Sequence, residues 1–322
     1  MGRKRRQKKA RRKRLRIKVT DKSVLYAVIG VLVLFGAFYA ESHGWFPSFP
    51  KHAPKPSAFA KVHHAPALRP RGYNPPALAT APSAVYRQPA APPRTYHAGS
   101  PKIVFVIDDI GHTENWNGDL RKLGNDVTYA ILPFLRYSAY FDALSLQTGA
   151  EVILHLPLES KSGTIPGPGL IRTRMADDAV LELLDRTLHS VPHASGVNNH
   201  MGSQGTSDPH LMSLILHRLQ QRSLFFMDSM TTTTSVASGV GAQLGYPILK
   251  RDVFLDNVDE KEAIRANVLE TAAKAQAQGH AVAIGHYRYN TLRVLLEEIP
   301  RLKAQGFDIA TLSDLLAMTS SR

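Results

Sequence analysis

The sequence predicts an α/β fold: a distorted or incomplete (β/α) barrel of seven to eight parallel strands, preceded by a transmembrane helix and a disordered linker. Three observations lead there. From Pro101 onward, short runs rich in Val, Ile and Phe alternate with amphipathic stretches, as strands and helices do in a β/α chain. Several of the runs are apolar on both faces, which suits strands buried in a parallel sheet. Before Pro101 the composition changes twice, from basic to apolar and then to Pro- and Ala-rich.

The first segment, residues 1–22, is a basic tail, and an apolar stretch over 23–40 follows it. Its core, Val24 to Ala40, is 17 residues without a formal charge. As a helix rising ~1.5 Å per residue it reaches about 26 Å, close to the hydrocarbon thickness of a bilayer. A cleaved signal peptide is the competing reading, but its apolar core is normally shorter, and Phe38 stands where a small residue would precede a cut after Ala40. The stretch therefore reads as an uncleaved signal anchor. The Lys/Arg excess before it puts the N-terminus in the cytoplasm and everything after Ala40 in the periplasm or outside the cell. Residues 41–100, with their recurrent prolines, have too few large apolar side chains for a core and read as a disordered tether.

The strands expected in residues 101–322 are the runs KIVFVI, VTYAILP, EVILHLPL, SGVNNHMG, LFFMDS, YPILKRDVFLD, HAVAIGH and FDIATL. Between them ADDAVLELLDRTLHSV, DPHLMSLILHRLQQRS and DEKEAIRANVLETAAKAQAQG carry apolar residues at helical spacing. Asp177 and Asp208 sit where acids favour a helix start.

Charge distribution narrows the function. The chain has a formal net charge of +14. Residues 1–40 hold 13 Lys/Arg against one acid, and residues 101–322 hold 20 Lys/Arg against 24 Asp/Glu. The large domain is thus mildly acidic and a poor grip for nucleic acid. With no cysteine, thiolate metal sites and disulfides are excluded.

If the strands are parallel, their C-terminal ends open on one face, where barrel enzymes keep their chemistry. Asp108 and Asp109 end the first run, and His155 and Glu159 the third. Asn199 and His200 end the fourth, Asp228 and Ser229 the fifth, Arg251 and Asp256 lie on the sixth, and His286 ends the seventh. Carboxylates and imidazoles gathered without thiols suit a divalent ion, Zn²⁺ first, with Mn²⁺, Co²⁺ or Fe²⁺ as alternatives. Such an ion supports hydrolysis, with one aspartate as ligand, its neighbour as base and a histidine across the site as acid.

The motifs VIDDIG, HLPLE, GVNNHMGS, FFMDSMTTTTS, RDVFLDN and GHAVAIGH, in this order, resemble the divergent polysaccharide deacetylase family, a branch of the NodB-like carbohydrate esterases. The likeness covers about residues 101–318. It implies metal-dependent removal of N- or O-acetyl groups from a polysaccharide. It also implies Asp108 as base, Asp109 and His155 as metal ligands and His286 as general acid. The superfamily's second metal-binding histidine is replaced here by Glu159. A shell of Asp109, His155 and Glu159 around a divalent ion is formally neutral and acidifies a coordinated water less than one carboxylate with two histidines. His200 restores that charge and is the favoured third ligand, with Glu159 moved outward. Asp228 matches a region that orients the acidic histidine or binds substrate, and Asn199, Arg251 and Asp256 are assigned to the substrate or supporting shell. The alternative from another class keeps the fold without turnover, as a glycan-binding or envelope-organising protein. Oligomeric state is not legible.

Overall fold

The computed structural model describes residues 94–320. The basic tail, the expected anchor and all of the expected linker before Arg94 lie outside the described residues. Among the described residues no helix is long and apolar enough to cross a membrane.

All eight expected strand runs are present. They form β1 (Lys102–Ile110), β2 (Thr128–Ile131), β3 (Val152–Leu158), β4 (Gly196–Met201), β5 (Phe225–Asp228), β6 (Ile248–Lys250), β7 (Val253–Phe254), β8 (His280–His286) and β9 (Asp308–Ile309). The helices are α1 (Asn117–Leu123), α2 (Ser138–Thr148), α3 (Asp177–Ser190), α4 (Pro209–Gln221), α5 (Ala237–Gln243), α6 (Lys261–Gln278), α7 (Tyr289–Ala304) and α8 (Leu312–Ser320). Asp208 caps α4, its carboxylate accepting from Leu211 N at 2.9 Å, while Asp177 opens α3.

Every strand pairing is parallel, in the order β6-β5-β4-β3-β2-β1-β8-β7, with β9 beside the start of β1. The sixth run of the sequence is split: β6 pairs with β5 and β7 with β8, at opposite ends of that order. Only Arg251 and Asp252 separate them, a link that spans at most about 11 Å. The two ends of the sheet must therefore lie side by side, and the sheet curls toward a barrel. The link itself bridges the seam. Arg251 N donates to Asp228 O at 3.1 Å, and Asp252 N to Val282 O at 2.8 Å.

Side-chain alternation along the strands divides the core. On β1, Ile103, Phe105 and Ile107 join the large cluster packed against the helices. Val104 and Val106 face inward with Ala130, Ile153, Phe225, Met227, Val282 and Ile284, above a plug of Ala310, Leu312 and Leu315. Continuing each inward row by two residues reaches Asp108, His155, Ser229 and His286. The inner cluster is thus the floor of a polar rim.

Candidate metal centre and active site

Asp108 continues the inward row of β1, but Asp109 should then point to the outer face. It does not, because the pairing of β1 with β2 shifts register between Ile107 and Ile110 and Asp109 takes a left-handed conformation, φ 62°. A bulge of this kind re-aims a side chain, and Asp is among the few residues that tolerate the conformation. Both carboxylates therefore reach His155 Nε2, Asp109 Oδ1 at 3.3 Å and Asp108 Oδ2 at 3.6 Å.

His200, on β4, completes a triangle. Its Nδ1 lies 3.0 Å from Asp109 Oδ1 and 3.1 Å from His155 Nε2. A tetrahedral ion with ligands at ~2.0–2.1 Å holds its ligand atoms about 3.3 Å apart, and an octahedral one about 2.9 Å. The three atoms already stand at that spacing. Asp109 Oδ1 is also buried without a hydrogen-bond partner, the condition of an oxygen that a cation would satisfy. The donor set fits a divalent ion.

Asn198 fixes His155. Its amide nitrogen donates to Asp108 Oδ1 at 2.8 Å and to Ser229 Oγ at 3.2 Å, so its oxygen is the atom 2.8 Å from His155 Nδ1. An amide oxygen only accepts. The ring proton therefore sits on Nδ1, and the neutral ring turns the Nε2 lone pair toward Asp109 and His200.

Electrostatics sets the two aspartates apart. Burial pushes the Asp108 carboxyl up, against the pull of His155 and His286. Burial acts the same way on Asp109, but its contacts with His155 and His200 outweigh it and hold this carboxyl well below the usual carboxylate range. Burial favours the neutral ring of His155, yet the charges of Asp108 and Asp109 raise its pKa.

His286 ends β8 in register with Asp108, and its Nε2 lies 3.9 Å from Asp109 Oδ2. The other ring nitrogen meets Asp256 Oδ1 at 2.8 Å, while Asp256 Oδ2 accepts from His286 N at 2.7 Å and Thr291 Oγ1 at 2.6 Å. Burial alone would lower the pKa of His286; the bond to Asp256 raises it instead. The same bond, against burial, lowers that of Asp256.

A divergent polysaccharide deacetylase model matches residues 105–316. The chain belongs to the divergent polysaccharide deacetylase family. An uncharacterized protein of Haemophilus influenzae is 31% identical over 194 residues, covering 60% of this chain and 69% of that protein. The uncharacterized protein YibQ of Escherichia coli is 29% identical over 201 residues, covering 62% and 63%. The chain thus spans about two thirds of the length of these curated relatives. A crystal structure of an uncharacterized protein of Agrobacterium tumefaciens shares the fold, with TM-score 0.64, 18% identity and coverage of 67% of this chain and 89% of that one.

Against the deacetylase family pattern, Glu159 stands outside the triangle. Its Oε2 accepts from Thr173 N at 2.9 Å and Thr173 Oγ1 at 2.7 Å, and those bonds hold its carboxyl below the ordinary range. Of the two roles expected for Asp228, orienting His286 falls to Asp256, which bonds that ring. Asp228 accepts from Met230 N at 2.8 Å and Ser235 Oγ at 2.6 Å, organising the loop after β5. Asn199 serves the same loop, with Ser229 N donating to its Oδ1 at 2.9 Å. Arg251 clamps it from the seam, Nε to Ser229 O at 2.8 Å and Nη2 to Met230 O at 3.0 Å.

Sequence reasoning missed Asn198 and Thr291. Asn198 had a signal. It precedes His200 by two residues, so both share the inward face of a buried strand, and a polar side chain there needs a partner.

Proposed function

We propose that the protein is a membrane-anchored, metal-dependent deacetylase that removes N- or O-acetyl groups from a cell-envelope polysaccharide. The observation that carries this reading is the convergence of Asp109 Oδ1, His155 Nε2 and His200 Nδ1 beside Asp108 and the His286–Asp256 pair. Asp109, His155 and His200 are the residues that would hold a divalent ion, Zn²⁺ before Mn²⁺, Co²⁺ or Fe²⁺. When bound, such an ion supplies Lewis-acid polarisation of an acyl carbonyl and makes water more acidic.

The chain's own groups then move the protons. Asp108, whose burial raises its affinity for a proton, takes one from the attacking water. His286, whose affinity for a proton Asp256 raises, gives one from Nε2 to the departing amine or alcohol. Base and acid sit on neighbouring strands in register, and Tyr287 N donates to Asp108 O at 2.9 Å, locking the two strand ends together. The Val24–Ala40 segment anchors the chain with this domain outside the cytoplasmic face, where envelope glycans are found.

The test uses the full chain in detergent, stripped with chelator and resupplied with each of the four metals. It should bind about one ion, release acetate from acetylated chitooligosaccharides or acetylated xylan, and lose both in Asp109→Ala. Metal binding and glycan binding without acetate release under any metal would support the non-catalytic glycan-binding reading instead.

A further inference from the structure

The cations of the domain fall into two groups. Those on the helices are mostly paired: Arg218 and Arg222 with Asp185, Arg265 with Glu297 and Glu298, Lys303 with Asp126. Arg136, Lys161, Arg172 and Arg174 are exposed, and among the described residues none of them forms an ion pair. All four lie on two connections that follow neighbouring strands, 132–137 after β2 and 159–176 after β3, on the face that carries the metal triangle. The single acid on these connections is Glu159, which already bonds Thr173 and feels Arg172 and Arg174. The segment after β7, residues 255–260, carries Asp256, Asp259 and Glu260 and no cation. Arg251 at the seam and Arg288 after β8 are half-buried and donate to backbone carbonyls, so the exposed positive charge on the connections after β2 and β3 has no counterpart on the segment after β7.

The same side is rich in hydroxyls. Lys161 Nζ donates to Thr234 Oγ1 at 2.8 Å, and Thr234 Oγ1 in turn meets Ser207 Oγ at 2.8 Å and Thr232 Oγ1 at 2.9 Å. Ser160, four residues past Leu156 on the β3 side, touches Ser203 Oγ at 3.4 Å. The loops after β3, β4 and β5 are thereby joined into one polar surface beside the site. Phe134 and Ile165, 42% and 70% exposed, stand on the two cationic connections and add apolar surface to it.

We infer that this side of the rim selects an anionic glycan, one whose sugars carry carboxylate or phosphate groups. The inference rests on the reading of the rim as a glycan site and adds the charge of the substrate to it. Arg172 and Arg174 provide forked donors for such groups and Lys161 a point charge, while Asp259 and Glu260 across the rim disfavour the reverse orientation.

The experiment measures binding of the full chain in detergent to two probes with the same N-acetylated backbone. One is peptidoglycan glycan strands freed of peptide, which expose lactyl carboxylates; the other is neutral hexa-N-acetylchitohexaose. The strands should bind about tenfold more tightly at low salt, and the preference should shrink as salt rises. The triple substitution Lys161→Gln, Arg172→Gln, Arg174→Gln should remove the preference while leaving affinity for the neutral hexamer and the melting temperature unchanged. Equal affinity for both probes, or a preference that survives the triple substitution, overturns the inference. So does charge-dependent binding to phosphatidylglycerol vesicles that matches or exceeds binding to the strands, which would make the patch a lipid contact. Because binding is read without turnover, charge-dependent binding with no acetate release leaves this inference standing and sinks the deacetylase reading alone.

Discussion

In a regular strand, successive side chains point to opposite faces, so Asp108 and Asp109 would be divided by the sheet. The bulge after Ile107 and the left-handed backbone of Asp109 bring both to His155. Two like charges so close are tolerable because His155, His200 and His286 offset them and Asn198 donates to Asp108. Asn198 is the residue on which this arrangement turns, since it touches His155, Asp108 and Ser229 together. Asn198→Ala should weaken metal binding by about 10- to 100-fold through loss of the fixed ring orientation, measured by competition with a chelating dye. Unchanged affinity would show that β3 alone orients His155. The aspartates and histidines were legible as polar residues at the ends of apolar runs. That both aspartates face one site was not, because a bulge depends on the pairing of β1 with β2 and leaves no mark in either run alone.

At the scale of elements, the site is built by register between strands. His155 is opposite Asn198 across β3 and β4, and Asp108 is opposite His286 across β1 and β8. The order of motifs and the parallel sheet were readable, because apolar runs on both faces leave few other arrangements. The partner of His286 was not readable, because it depends on how β7 docks on β8 after the sixth run breaks at Arg251 and Asp252. Register chooses Asp256 and leaves Asp228 to the loop after β5. A pH experiment checks this. His286 has two opposing influences, burial favouring the neutral ring and the Asp256 carboxylate favouring the charged one, and the carboxylate wins. Asp256→Asn removes that charge and leaves burial, so the pKa of His286 must fall. The protonated acid is then lost at lower pH, and the alkaline limb of the kcat profile should move to lower pH. A limb that stays in place would assign it to another group.

Across the whole molecule, the two ends of the curled sheet have separate tasks, with polar chemistry at the C-terminal ends of the strands and closure at the N-terminal ends. Glu151, just before β3, is the centre of the second. It is buried and burial pushes its carboxyl up. It nonetheless accepts from Leu312 N at 2.9 Å and Ser313 N at 3.1 Å, at the start of α8, and from Thr128 Oγ1 at 3.1 Å. Through these bonds it fastens the helix whose Leu312 and Leu315 plug the inner core. Glu151→Ala leaves buried amide donors without an acceptor, at a cost of about 2–3 kcal/mol. For a domain of this size that corresponds to a melting temperature roughly 4–12 °C lower. The metal triangle lies at the other end of β3, so at temperatures where the variant is folded its metal affinity should match the parent protein. Hydrogen exchange should locate the change, with protection lost first over α8. An unaltered melting temperature, or metal affinity that falls together with stability, would show that the two ends of the sheet are not energetically separate.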